Sequence, residues 1–201
     1  VVTAIVPSPD CAEYYPASKP VLMKLVAERS TGRLLGGQAV GPGDGIKRID
    51  VLATALYFGA KAADIGMLDL GYAPPYATAI DLIAHAANTI ENKRAGLLNG
   101  ISPAEVKAMI DRGEDFCWLD VRTPAEYRQL RIEDPRVKLI PLGQLRSRLE
   151  ELPRDKPIIA FCRVSLRGYE AARALAGAGF TDVRVMDGGI VAWPYELKPA
   201  G

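Results

Sequence analysis

Cys162 is the residue in this sequence best placed to do chemistry. It stands in "IIAFCRVSLRG" (158–168), where an apolar run stops at a thiol. Arg163, Val164, Ser165, Leu166 and Arg167 follow, and then a segment of helical pattern begins. Backbone N–H groups in the first turn of a helix lack internal partners, and the helix dipole adds about half a positive charge there. A loop curling round Cys162 at that point cradles an anion, and two arginines add full charges. Such surroundings favour the thiolate, which marks Cys162 as a nucleophile. That role needs loop amides turned toward the sulfur and an opening to solvent. The competing reading is a core cysteine, since free thiols are among the most buried side chains. Cys117, inside the apolar "FCWLDV" (116–121), reads as core. Cys11 lies in a loop beside Tyr14 and Tyr15 and is assigned no chemistry.

Asp120, Arg122 and Glu126 could be taken for acid–base groups. A carboxylate and a guanidinium at a strand end more often form a hydrogen-bonded pair that fixes loops. Glu126 is accounted for as the partner in a capping box, "TPAE" (123–126). All three read as structural support, and Trp193 and Tyr169 as core and rim. With one histidine, His85, and no C-x-x-C pair, the sequence offers no metal site. His85 itself reads as a surface or interface residue.

The formal net charge is +1 over 201 residues. That argues against the broad basic field that nucleic acid or an anionic membrane requires. Apolar runs fall well short of the ~20 residues of a membrane helix. Three widely spaced cysteines without an export signal indicate a reducing cytoplasm, not a disulfide framework. The chain opens at Val1 within a strand-like run and reads as a fragment or a processed chain.

The elements that must position these residues fall into two halves. Residues 1–94 predict an α+β unit. It has a hairpin from "VLMKLVAER" (21–29) and "LLGGQAV" (34–40), then a helix over 45–59 ending near Gly59. A turn enforced by proline, "LDLGYAPPY" (68–76), and a helix over 78–92 complete it. Residues 95–100 form a linker. In residues 101–198 a capping box, "SPAE" (102–105), opens a helix, and the strand at 116–121 follows. After "TPAE" come the strand "VKLIPL", a helix "LRSRLEEL" (145–152), the strand "PIIAF", the helix "RGYEAARALAGAG" and the strand "VRVM". This alternation predicts an α/β domain with a mostly parallel sheet, whose sites lie at the carboxyl ends of strands. Cys162 holds such a position.

Three segments in order, "LDVRTPAEY" (119–127), "FCRVSLRG" (161–168) and "DGGIVAW" (187–193), resemble those of a rhodanese domain, a sulfurtransferase module. The resemblance covers 101–198. It implies that Cys162 carries a persulfide and that the loop Arg163 to Arg167 holds the anionic sulfurs by backbone amides. The implied reaction is ping-pong, from small sulfur donors to thiol acceptors. Two departures stand out. Ser165 occupies a place where many members have glycine. If φ is positive there, serine adds strain of order 1 kcal/mol, which its hydroxyl offsets by donating to the persulfide. A Gly-His-Ile segment of many members is replaced by "LRI" (130–132). Cysteine phosphatases and arsenate reductases also use a strand–loop–helix thiolate. Their loop places five residues between cysteine and arginine, whereas Cys162 and Arg167 enclose four.

Residues 12–94 resemble the carboxy-terminal dimerisation domain of pyridine nucleotide-disulfide oxidoreductases. The motifs are "EYYPASKPVLMKLV", "TGRLLGGQAVG", "KRIDVLATAL" and "LDLGYAPPYATAIDLI". The Tyr-Ala-Pro-Pro-Tyr turn is similar to that of the coenzyme A-disulfide reductase branch, in which a rhodanese domain can follow. The resemblance implies a homodimer through 1–94, with Tyr15, Tyr72 and Tyr76 near the coenzyme A site at the dimer interface or simply filling that interface. It implies FAD, NAD(P)H and coenzyme A for a full-length parent. No G-x-G-x-x-G follows a strand in this sequence, so this stretch alone binds neither FAD nor NAD. The alternative class is a non-catalytic dimerisation and partner-docking module.

Overall fold

The computed structural model describes residues 1–199. The chain divides into two compact units, Val1–Leu97 and the residues from Leu98 onward.

The first unit is an antiparallel three-stranded sheet, β1 (Val2–Pro9), β2 (Pro20–Ala27) and β3 (Leu34–Val40), in that order. Period-two alternation buries Val21, Met23, Leu25 and Ala27 of β2 on one face. Helix α1 (Ile46–Tyr57) adds Leu52 and Ala55 to that core. A five-residue helix, α2 (Ala62–Gly66), was not foreseen, because so short a piece shows no periodicity. Helix α3 (Leu82–Arg94) buries Leu82, Ile83, Ala86, Ala87 and Ile90 against the same core. It begins at Leu82, later than the expected 78, because the Asp81 carboxylate caps it by accepting from the Ile83 N–H at 3.1 Å.

The second unit has a five-stranded parallel sheet. Its strands are β4 (Gly100–Ile101), β5 (Cys117–Asp120), β6 (Val137–Leu139), β7 (Ile158–Phe161) and β8 (Val183–Met186), in the order β4-β8-β7-β5-β6. Every residue of β5 and β7 is buried, which is why β7 reads as a continuous apolar run and β5 as an apolar run ending in Asp120, whose charge Arg122 pairs. Alternate side chains go to opposite faces. Phe116, Trp118, Ile159 and Phe161 join α4 (Pro103–Asp111) on one side. Leu119, Val121, Ile158, Ala160 and Cys162 join α7 (Leu166–Gly177) on the other. Both expected capping boxes form, Ser102–Glu105 on α4 and Thr123–Glu126 on α5 (Pro124–Gln129).

The single helix expected over 145–152 does not exist. Its place is taken by α6 (Leu142–Leu145) and a separate 3-10 turn, Leu149–Glu151. Arg148 leaves helical geometry between them, at φ −129° and ψ 25°. The leucine spacing is helical, but a run this short is unstable without more packing.

Candidate active site

Three parallel strands from the middle of the sheet, β5, β7 and β8, deliver the site at their carboxyl ends. Cys162 follows β7 directly. The register that sends Ile158 and Ala160 toward α7 also sends the Cys162 side chain there, beneath the helix start. The chain then turns within 163–165 and enters α7 at Leu166. The turn depends on Ser165, at φ 88° and ψ −30°, the one non-glycine residue with positive φ among the described residues. The positive φ that the sequence raised as a condition is therefore present. The hydroxyl does not face the sulfur as expected. Ser165 Oγ donates to the Met186 carbonyl at the end of β8, at 3.0 Å. The left-handed backbone turns that side chain toward β8 and away from Cys162.

Backbone N–H groups around the loop divide into used and unused. Tyr169 N–H donates to the Ser165 carbonyl at 2.8 Å and starts the helical ladder. Among the described residues, the N–H groups of 164–168 have no partner within the chain. These are the orphan donors of a twelve-residue helix, and they lie at the loop that follows the thiol. From the other side, the turn after β8 supports the loop backbone. Ile190 N–H donates to the Cys162 carbonyl at 2.9 Å, and Val191 N–H to the Arg163 carbonyl at 3.1 Å. Neither support was foreseen; the "DGG" run was the signal available.

The charged residues form two pairs. Asp120 and Arg122 are buried, at 0% and 3% exposure. Arg122 donates from Nε at 3.0 and 3.1 Å and from Nη2 at 2.6 Å to the Asp120 carboxylate. It also donates to the Leu130 carbonyl and lies over the Phe161 ring. Glu126 closes the α5 capping box and also accepts both ends of the Arg167 guanidinium, at 2.8 and 2.6 Å. Hydrogen bonds from Arg167 hold the Glu126 carboxyl at about 2. Arg167 is shifted up in turn, chiefly by its hydrogen bonds to Glu126, with neighbouring Cys162 a smaller contributor.

Cys162 is covered, with 1% of its surface exposed. The opening to solvent that a reactive thiol needs is therefore closed in this conformation, while Leu166 stands exposed above it and Arg163 is exposed beside it. Cys117 lies at the opposite end of the sheet, paired with Ile158, and burial pushes its thiol up. Trp193 is buried 5.1 Å from Trp118, ring centre to ring centre, and Tyr169 is half-buried. A cleft of about 150 Å³ opens between Arg154, Lys156, Phe180 and Asp182. It lies at the amino ends of β7 and β8, away from the thiol.

In the first unit, Tyr15, Tyr72 and Tyr76 are all exposed. Their two loops are tied together, since Ala12 N–H donates to the Pro74 carbonyl at 3.0 Å. Buried Arg48 anchors that region. It pairs with Asp81 at 2.7 Å and donates to the carbonyls of Asp10 and Asp44, both at 2.7 Å. His85 lies exposed on α3. No group of three His, Cys, Asp or Glu side chains among the described residues could hold a metal ion. No helix among them is long and apolar enough to cross a membrane.

Residues 102–195 match the family described as rhodanese-like domain, and residues 1–84 match the pyridine nucleotide-disulphide oxidoreductase dimerisation domain. The chain is 32% identical to a sulfurtransferase of Allochromatium vinosum, over 51% of this chain and 94% of that protein. Among solved structures it resembles an NAD-dependent persulfide reductase from A. fulgidus, at 43% identity and a TM-score of 0.85. It also resembles reduced CoADR-RHD of Bacillus anthracis, at 35% identity and a TM-score of 0.87. In each case 96% of this chain is covered but only 34% of the other. The chain likewise spans 25% of curated adenylyltransferase/sulfurtransferase relatives. With its parallel sheet and its cysteine loop, the chain belongs to the rhodanese-like sulfurtransferase family through residues 102–195, and it carries ahead of that domain the dimerisation domain of the pyridine nucleotide-disulphide oxidoreductases.

Proposed function

We propose that residues 101–198 work as a sulfurtransferase in which Cys162 carries the sulfur. Residues 1–94, joined to them by 95–100, form a homodimer. The observation that carries this reading is the row of unused N–H groups over 164–168, at the start of α7 and directly after the thiol. Preorganised amide donors stabilise an anion without reorganisation at the moment of reaction. The Cys162 thiolate attacks the outer sulfur of a donor. A new S–S bond forms, and the bond from that sulfur to the donor breaks, its electron pair leaving with the donor as a thiolate or sulfite. Cys162–S–S⁻ then faces the amides. An acceptor thiolate attacks the outer sulfur, the S–S bond to Cys162 breaks, and the Cys162 thiolate returns. No external oxidant or reductant enters either step. Because the thiol is covered, the donor reaches it when the segment bearing Leu166 moves aside.

The similar solved structures support a parent in which this chain follows a flavin- and nicotinamide-binding reductase region acting on disulfides or persulfides of coenzyme A. Tyr15, Tyr72 and Tyr76 then approach that substrate across the dimer interface. The strand-to-helix turn after β7 reads Cys-Arg-Val-Ser-Leu-Arg and not glycine-rich, so no dinucleotide step is derived from these residues. Phosphatase chemistry is disfavoured, because Arg167 is held by Glu126 and is not free to grip a tetrahedral phosphate.

The test is mass spectrometry of the chain after thiosulfate or polysulfide. The reading expects a gain of about 32 Da, one sulfur atom, on Cys162, lost on treatment with a thiol. Cys162→Ser should abolish transfer. An unreactive Cys162, or full transfer in Cys162→Ser, overturns the reading and favours a docking module.

A further inference from the structure

Helices α4 and α5 open on capping boxes of one design, yet Glu126 does something that its role as a cap does not require. In both boxes the glutamate accepts from the N–H and hydroxyl of its cap residue, Glu105 from Ser102 and Glu126 from Thr123. Glu126 also takes both guanidinium nitrogens of Arg167. Arg167 lies in the first turn of α7, on the segment that wraps the thiol. The two helix starts are set side by side by the sheet. β5 pairs with β7 in parallel, Asp120 against Phe161, so the chain leaving β5 into α5 and the chain leaving β7 into α7 depart from adjacent points. The pair spans 41 residues of sequence.

A guanidinium paired bidentately with a carboxylate presents its surroundings with a dipole where a lone guanidinium would present a full charge. Held this way, Arg167 stays beside the loop, with Glu126 on one side and Cys162 within its reach on the other. The balance matters for sulfur transfer. A thiolate that is stabilised too strongly loses nucleophilicity along with basicity. The other charged groups around the loop are Arg163 beside the thiol, the Asp120–Arg122 pair at the end of β5, and Asp187 at the end of β8. Asp120 is paired with Arg122, and Glu126 is the carboxylate bonded to Arg167.

We propose that Glu126 is a positioning residue for the sulfur chemistry: it fixes Arg167 beside Cys162 and withholds part of that arginine's charge, which keeps the sulfur a working nucleophile. This rests on Cys162 being the sulfur carrier, and it adds a role for Glu126 that helix capping alone does not supply.

Glu126→Gln is the clean variant. Glutamine still serves a capping box and its one oxygen still accepts from Arg167, but the second acceptor and the charge are gone. The measurement is the pH profile of carbamidomethylation at Cys162 in the full chain, read peptide by peptide because Cys11 and Cys117 are also present. The half-maximal pH should fall by about half a unit or more, roughly a threefold gain in reactivity on the acid side. The plateau rate at high pH should drop, since the thiolate is then less basic. Glu105→Gln makes the same change in the box on α4, which packs on the opposite face of the sheet from α7, and should leave both quantities where they are. Arg167→Gln should move the half-maximal pH upward, which keeps the test decisive if Glu126→Gln folds poorly. A Glu126→Gln profile that superimposes on the parent, or moves upward, overturns the inference while leaving the sulfurtransferase reading intact. A parent chain whose Cys162 neither alkylates at any pH nor gains sulfur overturns that reading first, and this inference with it.

Discussion

A β-carbon on Gly189 would lie 2.5 Å from the carbonyl oxygen of Cys162 and 2.6 Å from the carbonyl carbon and oxygen of Arg163. The missing side chain is what lets the turn after β8 press against the thiol loop and donate to it through the Ile190 and Val191 amides. Gly189 also has φ +58°, where an L side chain is strained.

Gly189→Ala should therefore displace the loop backbone. Sulfur loading on Cys162, followed by mass spectrometry, should fall at least about tenfold. Gly179→Ala provides the comparison. It shares a positive φ, but its β-carbon would meet nothing nearer than 3.9 Å, so it should lower stability without lowering the loading rate. Equal loading by the two variants would show that the close approach at Gly189 does not position the loop.

Ser165 separates strain from tethering. Serine at φ 88° stores about 1 kcal/mol, and its hydroxyl bond to Met186 returns a similar amount. Ser165→Ala keeps the strain and loses the bond, so it should destabilise by about 1 kcal/mol. Ser165→Gly loses both and should be close to neutral. Both tryptophans, Trp118 and Trp193, lie in the second unit, so urea unfolding followed by their fluorescence reports on the right part of the chain. If Ser165→Ala matches the parent, the tether contributes nothing.

Arg48 and Asp81 test the first unit. Asp81 serves as the cap of α3 and as the buried partner of Arg48, which is itself 1% exposed. Asp81→Ala leaves a buried guanidinium without its carboxylate and should cost about 3–5 kcal/mol. Asp81→Asn retains the cap and should lose less. Loss of helical circular dichroism with urea measures both. A cost under about 1 kcal/mol for Asp81→Ala would mean that water replaces the carboxylate.

Acid should weaken the second unit through Glu126. Hydrogen bonding from Arg167 holds its carboxyl at about 2 in the folded chain, against an ordinary 4.5. A depressed folded-state value means that the pair's stabilisation is complete above about pH 4.5 and disappears as pH falls toward about 2. The urea midpoint read by tryptophan fluorescence should drop over that window in the parent and drop less in Glu126→Gln. Parallel curves for the two would remove Glu126 from the acid response.

The sequence by itself determined whatever depends on near neighbours along the chain. Both capping boxes could be read because their partners sit three residues apart. The parallel sheet followed from strands alternating with helices along the chain, and the place of Cys162 followed from where β7 stops. What a run of leucines implied at 145–152 failed, because helical spacing says nothing about whether enough packing exists to hold a short helix. The tertiary structure alone decided the environment of the thiol. Arg167 meets Glu126 across 41 residues and Ser165 meets Met186 across 21, contacts that exist only because the strand order β8-β7-β5 brings the carboxyl ends of these parallel strands together. The sequence could name a serine in the loop, but which oxygen its hydroxyl would find depended on a left-handed backbone and a neighbouring strand, and neither is encoded locally.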